Sequence, residues 1–145
     1  MRKFTKKSSF TWERIKDFCE TLTEDQDALA REIVSRISDK WSLWTMSVIS
    51  EFGQPMRFSR IMEQVEGISQ KSLTKTLRDL ERNGLITRKV FAEVPPRVEY
   101  TITDFGCDML DNVAPLWLWT AKSVQRFQEC QSKFDRRELR PGKNS

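Results

Sequence analysis

Two adjacent prolines, Pro95 and Pro96, limit what this chain can fold into more than any other feature. They stand between "LITRKVF" (Leu85 to Phe91) and "RVEYTI" (Arg97 to Ile102), both rich in β-branched and aromatic residues with strand-like alternation. Proline inside a paired strand removes a ladder hydrogen bond. The pair therefore marks the tip or edge of a hairpin joining the two runs.

What precedes the hairpin is helical. In "SQKSLTKTLRDLERNG" (Ser69 to Gly84), Leu73, Leu77 and Leu80 recur at helical spacing. Ser69 serves as its N-cap and Asn83-Gly84 as a left-handed terminator. Just upstream, Phe58, Ile61, Met62 and Val65 fall at i, i+3, i+4 and i+7, and Gly67 breaks that shorter helix. Helix, tight turn and helix form a helix-turn-helix. With the hairpin after it, the expected fold is a winged helix, mainly α with a small β-hairpin wing (α+β).

The flanks add more helices. Met1 to Ser9 carries Arg2, Lys3, Lys6 and Lys7 with little to bury, a frayed basic arm, and Phe10 to Leu22 suits a short helix; together they make residues 1–22. Thr23 is an N-cap ahead of Glu24, Asp25 and Asp27, and Ala30, Ile33, Val34 and Ile37 supply an apolar face. Asp39 caps a helix running through Trp41, Leu43, Trp44, Met46, Val48, Ile49 and Phe52 to Gly53 and Pro55. It is apolar nearly all round, which predicts a central, buried element with its tryptophans filling core. Thr103 or Asp104 caps a last helical region, with Phe105, Met109, Val113, Leu116, Trp117, Val124, Phe127 and Phe134 as its stripe. Pro115 is expected to kink or interrupt it. Residues 23–134 read as one domain and 135–145 as a disordered tail.

Composition removes several kinds of chemistry. The 145 residues include no histidine, so Ser-His-Asp and Cys-His catalysis and every His-containing metal site are excluded. Cys19, Cys107 and Cys130 lie far apart, which suits reduced thiols better than a disulfide framework or a zinc site. No Gly-rich phosphate loop and no carboxylate pair set in a pocket is evident; no catalytic residue, metal or cofactor is expected. No apolar run approaches the ~20 residues of a membrane span, and no signal-peptide pattern opens the chain. A cytoplasmic protein with no membrane partner is the expectation. The net charge of +4 is compatible with nucleic acid without requiring it.

The candidate chemistry lies opposite the three leucines. Ser69, Gln70, Lys71, Ser72, Thr74, Lys75 and Arg78 suit a duplex groove. Lys and Arg meet phosphates or guanine edges, Gln pairs with adenine, and Ser or Thr serves either. In helix-turn-helix proteins the start of the second helix reaches the bases, and this set concentrates there. Asp79 and Glu81 fall where the helix would leave the groove and are assigned to scaffold. Arg88, Lys89 and Arg97 flank the Pro-Pro tip, where a wing could straddle a minor groove, and Arg57 and Arg60 could reach the backbone. Two plainer alternatives stay open: a merely solvated helix face, and pairing of Arg88 or Arg97 with Glu93 or Glu99.

The run "KWSLWTMSVISEF…MRFSRIMEQVEGISQKSLTKTLRDLERNGLITRKVFAEVPPRVEYTITDFG", Lys40 to Gly106, resembles the HxlR-type winged-helix transcriptional regulators, relatives of the MarR group. Lys40-Trp41, Arg57-Phe58, Ile68-Ser69, Leu73, Leu77-Arg78, Leu80, Asn83-Gly84-Leu85 and above all "VPPRVEYTIT" carry it. The resemblance implies a bacterial homodimer that binds double-stranded DNA at a palindromic operator, in the cytoplasm at the nucleoid. Ser69 to Arg78 would be the recognition helix and Val90 to Glu99 the wing. Thr23 to Ile37 and Asp104 to Phe134 would be the N- and C-terminal dimerisation helices.

Many members of that family place a redox-sensing cysteine roughly a dozen residues before the Lys-Trp pair. Here Cys19 lies further upstream, beside Asp17 and Glu20, and is the candidate sensing thiol; Cys107 and Cys130 read as packing residues. The effector, an oxidant or a small molecule held among Trp41, Trp44, Trp117 and Trp119, stays open beside the reading of those rings as core. The rival function is a winged-helix protein-interaction module, motivated by Trp117-Leu118-Trp119.

Overall fold

A computed structural model describes residues 12–139; the basic arm at 1–9 and the last six residues lie outside them. The elements run α1 (Trp12–Cys19), α2 (Glu24–Ile37), α3 (Lys40–Phe52), β1 (Met56–Arg57), α4 (Phe58–Gln64), α5 (Gln70–Arg82), β2 (Ile86–Phe91), β3 (Arg97–Ile102), α6 (Asp104–Lys122) and α7 (Val124–Glu138). Helix-turn-helix and hairpin are both present, as the leucine spacing and the prolines require.

Capping side chains set the helix starts. Thr23 and Gln26 form a reciprocal capping box on α2. Asp39 Oδ1 accepts from the backbone N–H groups of Trp41 and Ser42, at 2.8 and 3.2 Å, to open α3. Ser69 Oγ accepts from the N–H of Ser72 at 3.1 Å to open α5, and Thr103 Oγ1 accepts from that of Gly106 at 3.0 Å to open α6. Each satisfies a donor that a helix N-terminus otherwise leaves unpaired.

The hairpin pairs Ile86 with Ile102 through to Phe91 with Arg97. A short strand missed by the sequence reading, β1, adds to the other side of β3 and gives the order β1-β3-β2. Two residues, Met56 and Arg57, are too few to show alternation, which is why only pairing with Tyr100 and Glu99 reveals them. Met56 is 1% exposed and locks this edge into the core.

The core belongs to the winged portion. Met46 and Ile49 of α3, Ile61 and Val65 around α4, Leu73, Leu77 and Leu80 of α5, and Ile86 and Tyr100 of the sheet form one buried cluster. Each of those leucines removed from water contributes about 1.5–3 kcal/mol. Among the described side chains, none of the buried cluster comes from α1, α2 or α7.

Three expectations are corrected. Helix α3 is not wrapped in core: Trp44 and Phe52 are 41% and 44% exposed, because the winged portion covers only one side of it. Pro115 does not interrupt α6, which continues to Lys122; the break falls at Ser123, where Trp119 and Phe127 meet edge to face. The chain is also still helical from residue 135 to Glu138, where a disordered tail was expected.

A backbone junction ties α5, the sheet and α6 together. The N–H of Leu85 bonds the carbonyl of Leu80 at 3.0 Å and that of Gly84 bonds Glu81 at 3.0 Å. These are the paired bonds of a Schellman ending, with Gly84 at φ 72 in the left-handed position. The carbonyl of Leu85 then accepts from the N–H of Thr103 at 3.1 Å, and the Thr103 hydroxyl donates to the Gly84 carbonyl at 2.7 Å. Gly106 lies against this point. A Cβ there would press into the Leu85 carbonyl oxygen and sit 2.8 Å from Ile102 Cγ1. Gly84 has open space around its Cβ direction and is needed only for its φ. Gly106→Ala is therefore expected to cost about 3 kcal/mol or more, by overpacking against backbone. Gly84→Ala should cost only about 1–2 kcal/mol, from left-handed strain. Urea unfolding of the two variants checks the order.

Candidate nucleic-acid interface

The buried residues of α5 fix which way the rest point. Leu73, Thr76, Leu77 and Leu80 face the core, so Gln70, Lys71, Thr74, Lys75 and Arg78 are left outside. Lys71, Thr74, Lys75 and Arg78 line one shallow groove, and Arg82 extends it by a further turn. The sequence reading ended the polar set at Arg78 and missed Arg82. The missing signal was spacing: 71, 75, 78 and 82 follow the helical period along a single line. Among the described residues none of these four cations forms an ion pair.

Hydroxyls on the same helix are engaged locally. Ser69 Oγ donates to Ser72 Oγ at 2.9 Å while capping the helix, and Thr74 Oγ1 donates to the Gln70 carbonyl at 2.8 Å. Their first role is to shape the start of α5. The acidic Asp79 sits in the basic groove, but its Oδ1 lies 3.6 Å from Arg36 Nη1.

Strand alternation divides the wing cations. Arg88 stands opposite Tyr100 and Lys89 opposite Glu99, so the two arginine and lysine neighbours point to opposite faces. Arg88 faces α5 and lines a depression with Phe58, Thr74, Arg78, Glu81 and Tyr100. Lys89 shares the other face with Phe91, Arg97 and Glu99. Sequence proximity had grouped residues that the sheet separates.

Arg97 is held inside the wing. Its guanidinium lies 4.0 Å from the centre of the Phe91 ring, with Glu93 at 3.4 Å and Glu99 at 3.3 Å. The side chain is only 28% exposed, and its Nε approaches Glu99 without hydrogen-bond alignment. Pairing with Glu93 and Glu99, one of the two alternatives for this residue, is what the structure contains. Arg88 makes no such pair among the described residues. In the first motif helix Arg60 Nη1 bonds Glu63 at 3.1 Å, and Arg57 ends β1 opposite Glu99 with its side chain exposed.

The other candidates lie apart from this surface. Cys19, at the end of α1, is a free exposed thiol; Cys130 is exposed and Cys107 half-buried. Trp41 stacks on Trp44 with centroids 6.2 Å apart, and Trp117 is 73% exposed, so these rings do not form one closed core. Among the described residues there is no cluster of possible metal ligands and no helix long and apolar enough to cross a membrane.

A helix-turn-helix with a cationic second helix and an adjoining hairpin matches known proteins. An uncharacterised HTH-type transcriptional regulator of Methanothermobacter thermautotrophicus is 40% identical over 86 residues, 59% of this chain and 64% of that one. Another, from Halalkalibacterium halodurans, is 35% identical over 98 residues, 68% of this chain and 86% of that one. Among solved structures, the reduced transcriptional regulator YodB of B. subtilis superposes with a TM-score of 0.55 at 27% identity, covering 68% of this chain and 91% of YodB. The redox regulator HypR in its oxidised form gives a TM-score of 0.55 at 29% identity, covering 64% and 94%. The HxlR-like helix-turn-helix family matches residues 36–128, and this chain, with its winged fold, belongs to that family of transcriptional regulators.

Proposed function

We propose that the protein is a homodimeric DNA-binding regulator that seats α5 in the major groove of a palindromic operator and lays its hairpin on the adjoining backbone or minor groove. The cationic line of Lys71, Lys75, Arg78 and Arg82 along the exposed side of α5, without an ion pair among the described residues, carries this reading. Gln70, Lys75 and Arg78 read base edges, Ser69, Lys71, Ser72 and Thr74 hold phosphate or base, and Arg57, Arg60, Arg88 and Lys89 meet the backbone. Arg97 contributes by keeping the wing rigid. Residues 23–134 act as one unit.

Dimerisation is supported by what the fold leaves uncovered. Leu29 and Val34 of α2 are 53% and 63% exposed, and Leu116, Trp117, Leu118 and Trp119 of α6 all exceed half. Large apolar side chains left exposed side by side, as at 116–119, mark an interface. A second copy covering both arms would place two α5 helices about one DNA turn apart, ~34–36 Å. HypR is named a redox regulator, and YodB has been solved both reduced and after diamide treatment; both support an oxidant as effector, with Cys19 as the thiol to test.

A protein-interaction module is the second reading, favoured by the exposure of Trp117. A salt titration separates the two: DNA affinity falls steeply as salt rises, whereas an apolar interface hardly responds.

Two outcomes follow. Lys75→Ala with Arg78→Ala is expected to weaken operator binding by about 1–3 kcal/mol for each base edge left unread and to relax base preference at those positions. Its operator is obtained by selecting bound fragments from genomic DNA, with and without oxidant, and wild-type affinity in the double variant would refute the α5 assignment. Trp117→Ala with Trp119→Ala should shift the sedimenting species to monomer. The urea midpoint should fall modestly and lose its dependence on protein concentration, because a partner that binds only the folded chain stabilises it, although neither ring belongs to the winged core.

A further inference from the structure

Asp79 is the acidic side chain in the basic groove on α5, among Lys71, Lys75, Arg78 and Arg82. Lys75 precedes it by four residues and Arg82 follows by three, spacings at which side chains on one helix meet. Yet the ion pair it makes is with neither. Its partner is Arg36 on α2, outside the helix-turn-helix, with Nη1 3.6 Å from Asp79 Oδ1. Arg36 is itself fixed: Glu32 holds Nη2 at 2.9 Å, and the Arg36 carbonyl accepts from the hydroxyl of Ser42, 3% exposed, at 3.4 Å.

We propose that Arg36 is a positioning residue for DNA binding, which neutralises Asp79 so that the phosphates meet an unbroken cationic line on α5. This rests on the placement of α5 against DNA argued above. Stability does not account for the pair. Its side chains are 42% and 30% exposed, and pairs so exposed add little to folding. Facing a duplex with a charge every ~1.7 Å along its axis, however, an uncompensated carboxylate in the groove repels. The same pair joins α2 to α5, so the charge of the DNA-facing groove depends on where α2 lies.

The test uses the full chain and a fluorescent random-sequence duplex of about 30 base pairs at about 50 mM salt, where the electrostatic part of binding dominates. Arg36→Gln should lower affinity about fivefold, the change for one unit charge facing another across a few ångströms of water. Arg36→Lys should restore it, because the contact at 3.6 Å is coulombic and not a fitted hydrogen bond. Because Arg36 already holds that carboxylate toward α2, Asp79→Asn should leave affinity near wild type, and in that background Arg36→Gln should have no effect. An equal loss in both backgrounds would show that Arg36 acts without Asp79, through folding, assembly or its own phosphate contact, and overturns the proposal. So does wild-type affinity in Arg36→Gln when Lys75→Ala with Arg78→Ala still weakens binding; the proposed function then stands. Were that double variant also unaffected, the placement of α5 itself would fall.

Discussion

The geometry of the winged portion depends on one crossing of backbone, at the end of α5. Within six residues Leu80 accepts from Leu85, Glu81 from Gly84, and Leu85 in turn accepts from Thr103 at the foot of α6. Three elements thus leave a single point: α5 ends there, β2 starts there and α6 is capped there. Main-chain bonds of this kind contribute about 0.5–1.5 kcal/mol each, so their direct effect on stability is modest. Their larger effect is to fix the angle between α5 and the hairpin, which no side-chain contact on the exposed surface could hold. Gly106 is part of the same device, since only the absence of a Cβ lets α6 come this near to Leu85.

That fixed angle decides how the surface charges are used. Alternation along β2 turns Arg88 toward α5 and Lys89 away from it, so the wing offers one cation to the groove beside the helix and one to its outer face. Arg97 does something different. A guanidinium stacked on Phe91 and flanked by Glu93 and Glu99 gives up freedom and charge to hold the hairpin's two strands in register. Opposite-charge and aromatic pairs across strands contribute about 0.2–1 kcal/mol each. Beyond the reach of β1 the hairpin is only two strands wide, and there that share is large.

Most of the winged fold was legible in the sequence because it rests on local signals. Leucine spacing, Ser69, Gly84 and the two prolines each have one strong structural meaning, and they agree with one another. What escaped was set at a distance. Met56-Arg57 becomes a strand only because Tyr100 and Glu99 lie beside it. Pro115 stays helical because only one intrahelical bond is lost at an exposed site, less than the rest of α6 supplies. Arg82 was missed by ending the polar set at the first acidic residue, although Asp79 is turned toward α2 and paired there. The split of Arg88 from Lys89 and Arg97 needed the register, which composition around a hairpin tip does not contain.

The helices differ in what keeps them folded. Helix α5 is anchored by Leu73, Leu77 and Leu80, each at most 2% exposed. Helix α2, of 14 residues, has Leu29 and Val34 open to solvent, and its described side chains contribute nothing to the buried cluster. An isolated helix of that length is marginal in water, and its stability comes from whatever covers its apolar face. On the proposed reading that cover is a second copy of the chain. Assembly would then steady the helix that carries Arg36, and with it the contact to Asp79. The single chain already makes the contact, with Arg36 Nη1 3.6 Å from Asp79 Oδ1, so a partner covering α2 would hold in place a pair that the fold itself brings together. Oligomerisation would thereby act on DNA affinity twice, by bringing two helices to one duplex and by steadying the helix that compensates Asp79 in each.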